Sequence, residues 1–189
     1  MPNLILASAS PRRLDLLARL GITPQHIIAT NIDETAHKSE LPRDYAQRMA
    51  REKALAGADG SSFNLGGDTV VACGRRILPK ASDEAEVRAC LKLLSGRRHR
   101  VLSAVALAGP DGTMRLKLSE TIVRFKSLSA DEIAAYATSG EGIGKAGGYA
   151  IQGAAEGLIA WISGSHSGVV GLPLFETRAL LRAAGFPCG

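Results

Sequence analysis

Long apolar runs are missing from this chain, and aromatic residues make up only 4% of its 189 positions. No stretch approaches the roughly 18 uncharged apolar residues that a membrane span needs, and no basic leader precedes an apolar run at the N-terminus. The expectation is a cytoplasmic protein with no membrane partner. Cysteine is scarce as well. Cys73, Cys90 and Cys188 are odd in number, far apart and in no C-x-x-C pair. They argue against a disulfide framework and a cysteine zinc site, and leave reduced, mostly buried thiols. The four histidines show no i, i+4 spacing, so zinc hydrolysis has no support. The familiar phosphate loops are absent too. There is no G-x-x-x-x-G-K-[ST], and GIGKAG, Gly142 to Gly147, follows a helix where a dinucleotide fingerprint needs a strand.

What is present is globular composition, 46% hydrophobic and 22% charged. The length suits a single domain over residues 1–189, or two lobes sharing a sheet. A net charge of +5 and a pI near 9.4 call for an anionic partner. With few aromatics to stack bases, a small phosphate-bearing molecule is favoured over nucleic acid.

Periodicity organises the chain. Leu4 to Leu6 reads as a strand, Ser10 as an N-cap and Pro11 as the first residue of a helix with Leu14, Leu17 and Leu20 as its buried stripe. Ile27 and Ile28 suggest a short strand before the acidic loop Asn31-Ile32-Asp33-Glu34, and Leu41 to Ala58 a helix. Leu65 to Gly74 and the run ILPK form a hairpin, Ser82 caps the next helix, and Val101 to Phe125 is a long hairpin around GPDGT. Ser129 and Glu132 make a capping box. Ten of the 21 glycines fall between Gly140 and Gly171, which reads as a loop-rich segment whose backbone turns sharply or approaches something closely. A last helix covers Leu174 to Ala184. Helices alternating with hairpins predict an α/β fold with a mixed twisted sheet flanked by helices.

Chemistry concentrates at a few places. First helical turns prefer acids, yet Arg12 and Arg13 add positive charge to one, an arrangement that suits an incoming anion. Asp68 lies inside an apolar strand, where an unpaired carboxylate costs several kcal/mol, so it must meet a cation, a metal or a cavity. Glu34 and Glu52 could add hard oxygens for Mg²⁺ or Mn²⁺, and Lys53 and Lys80 supply point charges for phosphates. His99 sits in RRHR, which reads as the solvated end of a strand, with a nucleic-acid patch as the alternative.

These segments in order, SASPRR, Asp33-Glu34, REKA, GGDTVV, LPK, KAGGYAIQG and HSGVVGLPL, resemble the Maf family over nearly the whole chain. The resemblance implies a Maf/ITPase-like α/β fold with the active cleft between two lobes, a divalent cation (Mg²⁺ or Mn²⁺), a homodimer, and hydrolysis of nucleoside triphosphates between the α and β phosphates. It implies that Ser8, Arg12 and Arg13 form an anion pocket, that Glu34 and Asp68 form the acidic, metal-holding centre, and that Lys53 and Lys80 clamp phosphates. Asp68 becomes the proton acceptor and Lys145 a further phosphate contact. Arg12, Thr69 and Gln152 look like the branch acting on dTTP and UTP, with modified pyrimidine triphosphates as a further substrate class, and unlike the 7-methyl-GTP branch. Gly67 stands where many relatives have alanine. No stable nucleic-acid partner is expected. The competing reading is a non-enzymatic basic module acting on nucleic acid or on septum formation and cell-division arrest.

Overall fold

A computed structural model describes residues 2–188. Its centre is a seven-stranded sheet in the order β2-β1-β3-β5-β6-β7, with β4 paired to β3 alone. β1 (Leu4–Ala7) runs parallel to β2 (His26–Ile27) and to β3 (Phe63–Cys73); the remaining pairings are antiparallel. β4 (Arg76–Leu78) closes the first hairpin, and β5 (Arg98–Ala108) and β6 (Met114–Phe125) form the long one. The expected mixed α/β sheet flanked by helices is what the chain builds.

Strand alternation sorts side chains onto two faces. On β5 the even positions Leu102, Ala104, Ala106 and Ala108 join a small core beneath α2 (Pro42–Ala56), whose Ala46, Ala50 and Ala54 are fully buried. Small residues on both surfaces let this helix lie close to the sheet. Gly66 is the closest point, since a methyl group there would overlap the Ala50 carbonyl and the Ala54 amide. The odd positions Val101, Val105 and Leu107 enter the larger core with Val123 and Phe125. That core is covered by α1 (Pro11–Ala18), α3 (Glu84–Leu94), α4 (Ala130–Thr138), α5 (His166–Val170) and α6 (Leu174–Ala183).

Several local expectations are corrected. Ser10 holds the N-cap position of α1, but its side chain makes no capping hydrogen bond. The helix ends at Ala18, and its fully buried leucines are Leu16 and Leu17, with Leu14 and Leu20 only partly covered. α3 is capped by Asp83, which accepts from the Glu86 amide, while Ser82 donates to the Glu86 carboxylate. The capping box of Ser129 and Glu132 forms as expected. The glycine-rich segment is not all loop. It holds a 3-10 turn (Ala154–Leu158), the edge strand β7 (Ile159–Ser163) and α5. All three cysteines are free, with Cys90 buried and the others half-buried. Among the described residues no helix is long and apolar enough to cross a membrane.

Candidate active site

The cleft begins with how α2 meets β3. Asp68 lies on the face of β3 that α2 covers, two residues from Gly66, and the close approach at Gly66 brings Lys53 within reach. Lys53 Nζ donates to Asp68 Oδ1 at 2.8 Å, and each residue is only 6% exposed. The buried carboxylate has found its cation, as burial requires. Lys53 also meets Glu34 Oε1 at 2.7 Å, and Lys80 meets Glu34 Oε2 at 3.0 Å, so Asp68, Lys53, Glu34 and Lys80 form one chain of alternating charge. Burial works to raise the Glu34 carboxyl, but hydrogen bonds and charge from Lys53 and Lys80 hold it at about 2.

The acidic loop is pinned by residues that sequence reasoning missed. The Tyr45 hydroxyl donates to the Glu34 carbonyl at 2.7 Å, and Arg48 donates to the Thr35 carbonyl at 3.0 Å while pairing with Glu40. Burial, followed by the nearby charges of Asp68 and Glu34, pushes the Tyr45 phenol up to about 12, which keeps it a donor.

Around this charged row opens a cleft of about 570 Å³. Arg12, Arg13, Lys53, Asp68, Thr69, Lys80, Lys145 and Gln152 all line it. Ser8 is buried beside the lining, and Glu34 is an exposed residue that reaches the cleft through its ion pairs with Lys53 and Lys80. Ser8 Oγ accepts from Arg13 Nη1 at 2.9 Å, so it seats the arginine. Arg13 Nε donates to the Gly171 carbonyl at 2.9 Å, and Thr69 Oγ1 donates to the same oxygen at 3.3 Å. Arg13 also lies along Gly67, where a methyl group would come within 3.3 Å of its Nε. Alanine there would require the guanidinium to give by a few tenths of an ångström. Ser103, buried on β5, shares a 3.0 Å hydrogen bond with Thr69 and was not anticipated.

Lys80 and Lys145 converge through backbone. The Ala81 amide donates to the Lys145 carbonyl at 3.1 Å, and the Gly147 amide to the Pro79 carbonyl at 3.1 Å. Gly147, at φ +70°, packs against Val71 with no room for a methyl group. Five cationic side chains in the lining thus face the Asp68 carboxylate and the ion-paired Glu34, an excess of three positive charges. Burial lowers the pKa of Arg12. Burial lowers Arg13 as well, partly offset by Asp68, and burial with the neighbouring Arg12 lowers Lys145. A cluster of desolvated cations of this kind suits an anionic ligand.

His99 is not a solvated strand end. It is 2% exposed, in phase with the inward-facing Val101, and its Nε2 lies 2.8 Å from the hydroxyl of Tyr149, a lining residue. Burial lowers its pKa to about 4, so it is neutral and forms no part of a basic patch.

No group of three or more His, Cys, Asp or Glu side chains among the described residues is arranged to hold a metal. Glu34 and Asp68 are two hard carboxylates flanking one ammonium group. That set fits a dication of the Mg²⁺ type, which takes one or two carboxylates and completes its shell with phosphate oxygens and water.

A cleft of this composition, on a mixed α/β sheet, is chemically suited to a polyphosphate. Residues 3–184 match the family described as "Maf: Maf-like protein", and the chain belongs to that family. It is 66% identical over 186 residues to a protein of Novosphingobium aromaticivorans named dTTP/UTP pyrophosphatase, covering 97% of this chain and 92% of that one. A Sphingopyxis alaskensis protein of the same name is 60% identical over the full length of both chains. An Anaplasma phagocytophilum protein named nucleoside triphosphate pyrophosphatase is 54% identical, covering 96% of this chain and 95% of that one. Among solved structures, a nucleoside-triphosphatase / dITP/XTP pyrophosphatase of Mycobacterium abscessus aligns with TM-score 0.45 and 20% identity, over 68% of this chain and 76% of that one.

Proposed function

We propose that the protein hydrolyses dTTP and UTP to the nucleoside monophosphate and pyrophosphate. The observation that carries this reading is the buried Asp68–Lys53 pair at the wall of a cleft with three excess positive charges. The names of the relatives at 60–66% identity point the same way.

Arg12, Arg13, Lys80 and Lys145 surround the triphosphate tail, and Ser8 and the Gly171 carbonyl keep Arg13 in place. Asp68 accepts the proton of a water molecule, whose oxygen bonds to the α phosphorus as the α–β bridging bond breaks and pyrophosphate leaves. Lys53 neutralises Asp68 in the free cleft and stabilises charge on the phosphates during transfer. Glu34 and Asp68 would hold a divalent cation, which when bound supplies charge neutralisation at the phosphates. Gln152 reads the base, because one amide both accepts from the pyrimidine N3–H and donates to a ring carbonyl. The chain acts as one domain and assembles as a cytoplasmic homodimer, a state that sedimentation of the purified protein checks.

The test is pyrophosphate release from ordinary and modified nucleoside triphosphates, including 7-methyl-GTP, with Mg²⁺, Mn²⁺ or chelator. Metal-dependent release that is fastest from dTTP and UTP is the expected result. Release fastest from 7-methyl-GTP overturns the pyrimidine assignment, and no release from any triphosphate overturns the enzymatic reading.

A further inference from the structure

Gln152 is exposed on the cleft rim, yet the backbone on both sides of it is fixed from behind. Before it, the Tyr149 hydroxyl meets buried His99, and the Ala150 amide donates to the Tyr136 hydroxyl at 3.0 Å. After it, the Ala154 amide, first of the 3-10 turn, donates to Glu141 Oε2 at 2.9 Å. Glu141 thereby caps that turn from a distance of 13 residues, and its carboxylate lies against Gly153 with no space for a methyl group. Gly153 has φ −115°, which any residue adopts, so a side chain here would be tolerated by the backbone and would act by displacing the Glu141 carboxylate. None of these contacts touches the phosphate end of the cleft.

We infer that Glu141, seated on Gly153, is a positioning residue for base selection: it fixes the turn that presents Gln152 and so sets the preference for uracil and thymine over cytosine. The inference rests on the pyrimidine-reading role of Gln152 given above. An amide aimed by a rigid turn distinguishes N3–H from the bare N3 of cytosine. The same amide on a loosened turn rotates to suit either base, and discrimination falls while the triphosphate is held as before.

The experiment compares kcat/KM for UTP and CTP, and inhibition by inorganic tripolyphosphate, in wild type, Gln152→Ala, Glu141→Ala, Glu141→Gln and Gly153→Ala. We expect the UTP:CTP ratio to fall about tenfold in Gln152→Ala, Glu141→Ala and Gly153→Ala, the scale of one lost directed hydrogen bond. Tripolyphosphate inhibition stays unchanged. Glu141→Gln, which keeps an acceptor for the Ala154 amide, restores the ratio, and Glu141→Ala adds nothing in a Gln152→Ala background. If Gln152→Ala lowers the ratio and Glu141→Ala does not, the positioning role is overturned and the base-reading role stands. If Gln152→Ala leaves the ratio unchanged, the base-reading role falls and this inference falls with it. Equal loss of activity toward both nucleotides in Glu141→Ala and Glu141→Gln alike also overturns the positioning role.

Discussion

The two ends of the cleft are held by different physics. At the end proposed for the phosphates, side-chain charge is packed between a helix and a strand: Asp68, Lys53, Glu34 and Lys80 alternate in sign, with Asp68 and Lys53 buried. At the end proposed for the base, the backbone flanking Gln152 is held by its amides, which donate to the Tyr136 hydroxyl and the Glu141 carboxylate, and the Gln152 side chain stays exposed. Buried charge gives an end whose loss is costly and indiscriminate. On the proposed function, an exposed side chain on a braced backbone is the end where preference is tuned.

The sharpest way to break this contrast is Asp68→Asn. Loss of a positioned proton acceptor costs a factor of about 10² to 10⁴ in turnover, read as pyrophosphate release, with the far-ultraviolet dichroism of the fold retained. Turnover near wild type removes Asp68 from the mechanism. Next in size is Lys53→Met. Removing one partner of a buried pair leaves the other uncompensated, a loss of about 3 to 5 kcal/mol. Urea unfolding measures it, and an unchanged midpoint would show that the Asp68 charge is relieved elsewhere.

Acid probes both regions by linkage. His99 is held at about 4, below the ordinary 6.5, so the unfolded chain takes up this proton first. The neutral-histidine contribution is complete above pH 6.5 and is lost as pH falls to about 4, a change of about 3 kcal/mol. Glu34, held at about 2 against an ordinary 4.5, contributes above pH 4.5 and loses that contribution as pH falls toward 2. Unfolding of wild type and His99→Gln across pH 7 to 3 separates the two windows: the variant keeps only the lower one. The smallest effect is expected from Gln152→Glu at the exposed rim. We expect kcat/KM for UTP to drop about tenfold, the scale of one directed hydrogen bond, with tripolyphosphate inhibition changed far less. An unchanged substrate profile would place base selection elsewhere.

Much of the phosphate end was legible because burying a charge demands a visible exception. A carboxylate inside GGDTVV announces Asp68, and two arginines after a proline break the rule for first turns. Lys53 was named as a point charge for phosphates, but nothing in its helix showed that it would be buried against Asp68, and Ser8 and Tyr45 act through contacts that only the folded chain brings together. His99 was hidden by its basic neighbours, although the alternation Val101, Ser103, Val105 already pointed it inward. The base end was harder to read for physical reasons. β7 is exposed along most of its length and shows no alternation, and α5 is five residues long, too short to express a helical period. Ser82 and Asp83 are both good caps, and only folding shows which amide each one meets.

The hydrogen bond from Arg13 to Gly171 spans 158 positions. The carbonyl that seats Arg13 is therefore made long after the arginine itself. Contacts of such separation form only after a long loop has closed. The growing chain therefore carries an unfinished cleft until Gly171 has been made and has come back to the first helix, and an intact cleft reports that two distant stretches of the chain have folded together.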